Sequence, residues 1–527
     1  MNRVRNTLAL LCMALLLTAC THTTSKNAPK TLILRLGGEP SVINPVLSTD
    51  TTSSSVEGLI FNGLMRVDAD LNMVPDLAEK YEVSADHKTY TFTLKPNVKW
   101  QDGHPFTAQD VAFTFRTILD PKTGSVRRSD YVVAGKPIEI QVIDDQTIAF
   151  HLAKPFAPFL SNMGMGILPE HLLAGKDLRT STFNRQPVGT GPFKFSRWQV
   201  GQFVQVVRNP SYFGPRPHLD QVLLKIIPDY NTALIAFKKG EIHLQDVQPK
   251  DLESLIKSVK CTKYTYDTLG YTFMGFNLKK WPFTEPRVRQ AIAMAVNKDT
   301  LVTHLLQGYG RRADYPDAPA SWSYPNDADI ARLPYDPAKS QALLHAAGFK
   351  KNPQTGIFEK NGRPLKFTLL NSKGQTEREK AAQTLQQFLK NVGIEVQIQT
   401  LEWSTLVKRL NAPQDPKDFD AFMMGWSLGV DPDALSIWHS KEYPAGLNFV
   451  GYSNPKVDQG LLAGRVEIRQ AERKKIYQTT FSQVAADVPY LFLYYSKAIG
   501  VASPRLKGLS KPGPAGLLNR IEAVDIE

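Results

Sequence analysis

The sequence predicts an α/β protein of more than one domain, on three observations. The chain has 527 residues, more than one hydrophobic core usually supports. Its second half alternates capped helices with short β-rich runs, the pattern of helices on a mostly parallel sheet. Its cysteines are Cys12, Cys20 and Cys261, two of them in an N-terminal segment that export would process, so the domains hold together without an intrachain disulfide.

Arg3 and Arg5 precede an apolar run over residues 8–17. The run is shorter than the roughly 20 residues that cross a bilayer and suits the core of a secretory signal. It ends in Leu17-Thr18-Ala19-Cys20, which looks like a bacterial lipobox. Residues 1–19 are then a signal peptide, Cys20 the lipidated first residue, and the polar stretch 20–30 a tether; a plain cleaved signal with an incidental cysteine is the alternative. Net charge is +13, or +11 without residues 1–19. The basic residues are dispersed among acids with no basic helix or aromatic-and-basic cluster, which argues against nucleic acid.

Leu32, Leu34 and Leu36 begin a strand that Gly37-Gly38-Glu39-Pro40 breaks. The most informative block lies in residues 77–115. Tyr90, Phe92 and Leu94 alternate as a half-buried strand, and Asp102-Gly103 is a turn dipeptide. Thr107 and Asp110 offer an N-cap and first-turn acid to a helix carrying Val111, Phe115 and Ile118 inward. A hairpin is expected at residues 142–148. Further on, Thr284-Glu285-Pro286, Asn297 and Asp336-Pro337 open helices, and Thr376 with Glu379 reads as a capping box before a helix closed by Gly393. Strands follow at Ile394, Val396 and Ile398, at residues 419–424 and at residues 488–495.

In order, the block at 77–115, Pro187-Val188-Gly189-Thr190-Gly191-Pro192-Phe193, Arg208-Asn209-Pro210, Arg287-Val288-Arg289-Gln290-Ala291, Tyr335-Asp336-Pro337 and Gly425-Trp426 resemble the family 5 extracellular solute-binding proteins, the peptide and nickel receptors of ABC importers. The resemblance covers nearly the whole mature chain. It implies a two-lobed periplasmic-binding-protein type II fold with an extra satellite domain in the first lobe and two crossing strands, near Tyr271 and Tyr490, as hinge. The implied division is lobe I from 31–57, 187–272 and 489–527, the satellite domain from 58–186, and lobe II from 273–488. It further implies an exported monomer that captures oligopeptides for an ABC permease and its ATPase subunits, without cofactor or catalysis. Other ligands in the family are dipeptides, murein peptides, glutathione and chelated nickel.

Candidate ligand residues follow. In peptide receptors of this family an aspartate after the Gly-Trp pair binds the ligand ammonium. Here Leu428, Gly429 and Val430 occupy the expected place, so Asp431 or Asp433 stands in, with helix capping as their other use. Trp403, Trp426, Trp438 and Tyr271 are aromatic candidates for the cleft, and Glu39, Asn277 and Asn371 sit at strand ends or turns where polar groups face a ligand. Lys373 is the candidate for a peptide carboxylate. From another class, Gly425-Trp426-Ser427-Leu428-Gly429 matches the G-x-S-x-G elbow of serine hydrolases, which would make Ser427 a nucleophile. Asp431-Pro432 reads as a helix start four residues later, which argues against an elbow. No two histidines lie within five residues and no zinc or P-loop pattern occurs, so no metal site is expected.

Overall fold

A computed structural model describes residues 28–527, so the signal peptide, Cys12, Cys20 and most of the tether lie outside the described residues. Among the described residues Cys261 is the free thiol, and no helix is long and apolar enough to cross a membrane. The fold is mixed α/β. Thr31–Leu36 pairs in parallel with Gln221–Ile226, and antiparallel strands Phe203–Arg208 and Phe193–Gln199 complete a four-stranded sheet. Lys30, just before it, forms an ion pair with Asp525 at 2.7 Å, tying the start of the described chain to its end.

Where the satellite domain is expected lies a second four-stranded sheet, in the order Ala78–Val83, Thr89–Leu94, Thr147–His151, Glu139–Asp144. Tyr90, Phe92 and Leu94 are buried as their alternation requires, and Phe92 packs edge-on to Phe150. Helix Ala108–Leu119 buries Val111, Phe115 and Ile118 against this sheet. Its capping box forms, Thr107 and Asp110 each satisfying a backbone amide of the other's turn. Asp110 does more than cap. Its carboxylate accepts from Thr107 N at 3.0 Å, from Trp100 Nε1 at 3.1 Å and from Glu170 N at 3.0 Å, so one buried acid joins the turn, the helix and a distant segment.

An eight-stranded sheet organises the second half: Leu244–Asp246, Tyr490–Ala502, Gly270–Phe276, Ala421–Ser427, Lys366–Ser372 and Glu395–Leu401 in order, with Thr262–Asp267 and Gly310–Arg312 also on the long strand. The expected mostly parallel sheet is corrected here. Only Glu395–Leu401, Lys366–Ser372 and Ala421–Ser427 run parallel, joined by helices Thr376–Asn391 and Trp403–Asn411; the other pairings are antiparallel. The helical run sampled only this part of the sheet. Both faces are buried. Met274, Phe276, Leu491 and Leu493 enter one core, and Tyr271, Phe273, Tyr490 and Phe492 the other, by the period-2 alternation of strands.

Helices begin at Pro286, Lys298 and Pro337 behind the expected caps Glu285, Asn297 and Asp336. Thr376, however, is the first helical residue and caps nothing; Glu379 instead accepts from Gly374 N at 2.8 Å. The last long strand runs thirteen residues, to Ala502. Its first part pairs with Gly270–Phe276 and its last part with Thr262–Asp267.

Asp110→Ala leaves one buried and two half-buried donors without an acceptor. At about 1–3 kcal/mol each, the satellite domain should lose at least about 3 kcal/mol, whereas Asp110→Asn, which keeps an acceptor, should lose less. Chemical denaturation followed by tryptophan fluorescence checks this, with Trp100 as local reporter.

Candidate functional site

Two adjoining cavities, of about 770 Å³ and 400 Å³, share Arg35, Asp246, Tyr266 and Gln375 as walls. The larger is closed on one side by Gly37 and helix Thr51–Ile60, and on the other by Trp403. A third space of about 560 Å³ shares Ser54, Gly58, Asn519 and Ile521 with it. Arg35 is held by Ile227 O and Pro228 O, both at 2.8 Å, and burial lowers its pKa against the pull of Asp246 and Asp229. Asp246 is exposed, and what it is exposed to is the cavity; one oxygen accepts from Tyr264 OH at 3.2 Å. Protein atoms crowding it raise its pKa, against the lowering effects of Tyr264 and Arg35. The wall shared by the two cavities thus carries a cation and an acid that act on each other. Sequence reading missed both, because neither lies in a motif.

Trp403 lines the larger cavity and donates to Asp50 Oδ1 at 3.3 Å, bridging two parts of the chain. Trp426 is half-buried, stacked on Phe449 at 5.7 Å. It belongs to a strand with an open edge. Lys366–Ser372 pairs only with Ala421 and Phe422, while Gly270–Phe276 covers the other edge throughout. Leu428 N donates to Leu269 O at 2.8 Å, so the alternation of an antiparallel ladder turns the backbone groups of Gly425 and Ser427 toward the open edge. Both residues are exposed.

Other candidates are placed differently. Glu39 is used within the first sheet's lobe, accepting from Trp198 Nε1 at 2.7 Å and Gly201 N at 2.9 Å. Asn277 is fully buried and bonded to Lys417 O, Phe419 O and Lys279 N, so it is a structural clamp. Tyr271 and Trp438 are core residues, although Tyr271 OH and Trp438 Nε1 find no hydrogen-bond partner among the described residues. Asn371 is buried with neither amide atom partnered there. Lys373 is exposed beside Glu402 at 3.7 Å.

Of the two readings of Asp431 and Asp433, capping holds in part: Asp433 accepts from Leu435 N at 3.2 Å and Asp431 from Asp433 N at 3.0 Å. The helix begins at Leu435, behind Ala434, so Asp431 is not its cap. Asp431 forms a bidentate pair with Arg473, both bonds 2.8 Å, and Asp433 accepts from Arg465 Nε at 2.7 Å. Neither carboxylate is left for a ligand ammonium. Ser427 ends a strand eight residues before that helix, so the strand–turn–helix of a nucleophile elbow does not form.

Residues 72–446 match the family described as bacterial extracellular solute-binding proteins, family 5. The chain belongs to that family. This family 5 protein is 35% identical to the oligopeptide-binding protein AppA of Bacillus subtilis over 503 residues, 92% of each chain. The solved structure of Bacillus subtilis AppA with a nonapeptide matches at TM-score 0.91 and 34% identity, covering 95% of this chain and all of the other. NikZ of Campylobacter jejuni with Ni(L-His) matches at TM-score 0.85 and 29% identity, over 95% and 100% of the two chains. Proteins of this family are receptors, not enzymes, and are exported to the periplasm or cell surface.

In this family 5 protein segments far apart in the chain, assigned by the sequence to different lobes, touch. Asn411 Nδ2 donates to Thr49 Oγ1 at 2.7 Å, and Ala157 N to Arg465 O at 2.8 Å. Arg465, nearly buried, donates to Ser129 O at 2.7 Å and lies 3.5 Å from Asp130 while holding Asp433 on its own lobe. Burial raises Asp130 to about 6, Arg465 opposing and Asp433 reinforcing it. Burial also raises Glu442 to about 7; Ser129 and Arg465 oppose this, and Asp130 and Asp433 add to it.

Where lobe contact provides that burial, the closed form binds protons that the open form releases. Closure is then favoured below about pH 7 and loses this contribution as pH rises through the raised values. Ligand affinity should rise severalfold between about pH 7.5 and about pH 5.5, with proton uptake visible in calorimetry across buffers. Glu442→Gln should flatten the profile; a profile equally steep in that variant would assign the effect elsewhere.

Proposed function

We propose that the protein is the oligopeptide receptor of an ABC importer. The observation that carries this reading is the open strand edge at Gly425 and Ser427 in a family 5 fold whose cleft is bounded by Arg35 and Asp246. A peptide added to such an edge is held by its main chain, while its side chains enter roomy spaces where bridging water substitutes for direct bonds. The nonapeptide bound by AppA supports a ligand longer than a dipeptide.

In this reading Asp246 receives the ligand ammonium that Asp431 and Asp433 cannot, and Trp403 and Trp426 flank the chain. The lobes are divided as the sequence suggests, near residues 58, 187, 273 and 489. They close about the segment where residues 268–271 and 495–496 run unpaired with each other, between the pairs Asp267↔Lys497 and Thr272↔Tyr494. Cys20 is the lipid anchor, and the receptor works as a monomer beside its permease.

Mass spectrometry of small molecules released on denaturing the natively purified protein tests the reading. A ladder of peptides of similar length supports it; a single non-peptide species keeps the fold and changes the ligand. Trp426→Ala should weaken peptide binding by about tenfold, the weight of an aromatic anchor. Ser427→Pro, which removes an edge N–H without touching the paired edge, should do likewise, and Ser427→Ala should leave affinity unchanged. Asp246→Asn should weaken a free peptide by about 1.5–3 kcal/mol and spare its N-acetylated form; equal loss for both would remove Asp246 from the ammonium site.

A further inference from the structure

We propose that Asp102, His104 and His171 form a binding site for a divalent transition-metal ion on the surface of the satellite domain. The fold brings the turn at Asp102-Gly103 against the short helix Glu170–Leu173, 69 residues away. His171 Nε2 lies 2.7 Å from Asp102 Oδ2, and His104 Nδ1 lies 3.5 Å from Asp102 Oδ1. The two imidazoles stack at 4.1 Å, 19° from parallel. One ligand atom from each side chain falls within 4.8 Å of the others.

The backbone beneath these groups is fixed. Gly103, at φ 95°, turns the chain so that Trp100 N reaches His104 O at 2.8 Å, while Glu170 N is held by Asp110. Trp100, bonded to the same Asp110, packs its ring 6.2 Å from that of His171. Only side-chain movement is left for metal capture. Zinc-like ions bind imidazole nitrogen and carboxylate oxygen at about 2.0–2.2 Å. Rotation of the exposed His104 ring and a small contraction bring the three donors to one ion, with remaining positions open to water. Two imidazoles and one carboxylate suit Zn²⁺, Ni²⁺ or Cu²⁺ and not the oxygen-seeking Mg²⁺ or Ca²⁺.

A hydrogen bond between Asp102 and His171 alone explains that pair but gives no reason for the second imidazole against it. None of the three residues lines the cavities described above, so the site stands apart from the peptide cleft.

Calorimetric titration of the purified protein with ZnCl₂ tests the site. The wild type should bind one Zn²⁺ that the double variant His104→Ala/His171→Ala does not. His104→Ala alone, an exposed change, should weaken binding at least as much as loss of an outer-shell partner does, about 10–100-fold. Zn²⁺ should raise the Tm of the wild type and not of the double variant, with peptide affinity equal in all three proteins. Equal Zn²⁺ binding by wild type and double variant, or no binding by the wild type, would overturn the site and leave the receptor reading untouched.

Discussion

Everything in the second half of this fold depends on one ladder, the long strand Tyr490–Ala502 beside the chain from Thr262 to Phe276. Its inner side chains form the cores on both faces of the eight-stranded sheet, so the strands cannot shift in register without moving Tyr490, Phe492 and Leu491 to wrong faces. Between the pairings of the long strand with Thr262–Asp267 and with Gly270–Phe276, residues 268–271 and 495–496 do not pair with each other, but Gly270 and Tyr271 pair with Ser427 and Trp426, and Tyr495 and Ser496 with Arg311 and Gly310.

The contacts between lobes are of a different kind. They are single hydrogen bonds and one arginine shared among carboxylates, each worth little beside the apolar cores. Arg465 shows why such a contact can report on the state of the cleft. One guanidinium bonds Asp433 at 2.7 Å and lies 3.5 Å from Asp130, and its charge also reaches Glu442. To move a closed fraction from 1:99 to 99:1, a ligand must favour closure by about 5.5 kcal/mol, and a weak or pH-dependent latch leaves that decision to it.

Local rules explain how much of this was legible in the sequence. Tyr90, Phe92 and Leu94, the Thr107–Asp110 capping box and the proline-led helices at Pro286 and Pro337 depend on neighbours within a turn or a strand, and they read correctly. Thr376 failed because Gln375 precedes the helix and Glu379 found Gly374 instead. The sheet read as parallel because its helices lie between only three of its strands. Asp431 and Asp433 read as caps or ligand groups since their partners, Arg473 and Arg465, stand 42 and 32 residues away. Arg35, Asp246 and the pairing of His104 with His171 were invisible for the same reason: each acquires its role only when separate segments meet.

That contrast bears on ligand tolerance. The expected acid position of the family is apolar here, and the nearest acids, Asp431 and Asp433, are consumed by internal ion pairs, so their charges cannot also select a ligand terminus. What is left at the Gly-Trp strand is the backbone of Gly425 and Ser427, and backbone groups pair with any residue other than proline. On the proposal that Arg35 and Asp246 hold the ligand's charges, facing spaces wide enough for water, holding the chain is separate from reading its side chains. Broad specificity then follows from where the hydrogen bonds originate, and narrowing it would require filling those spaces and not strengthening the strand.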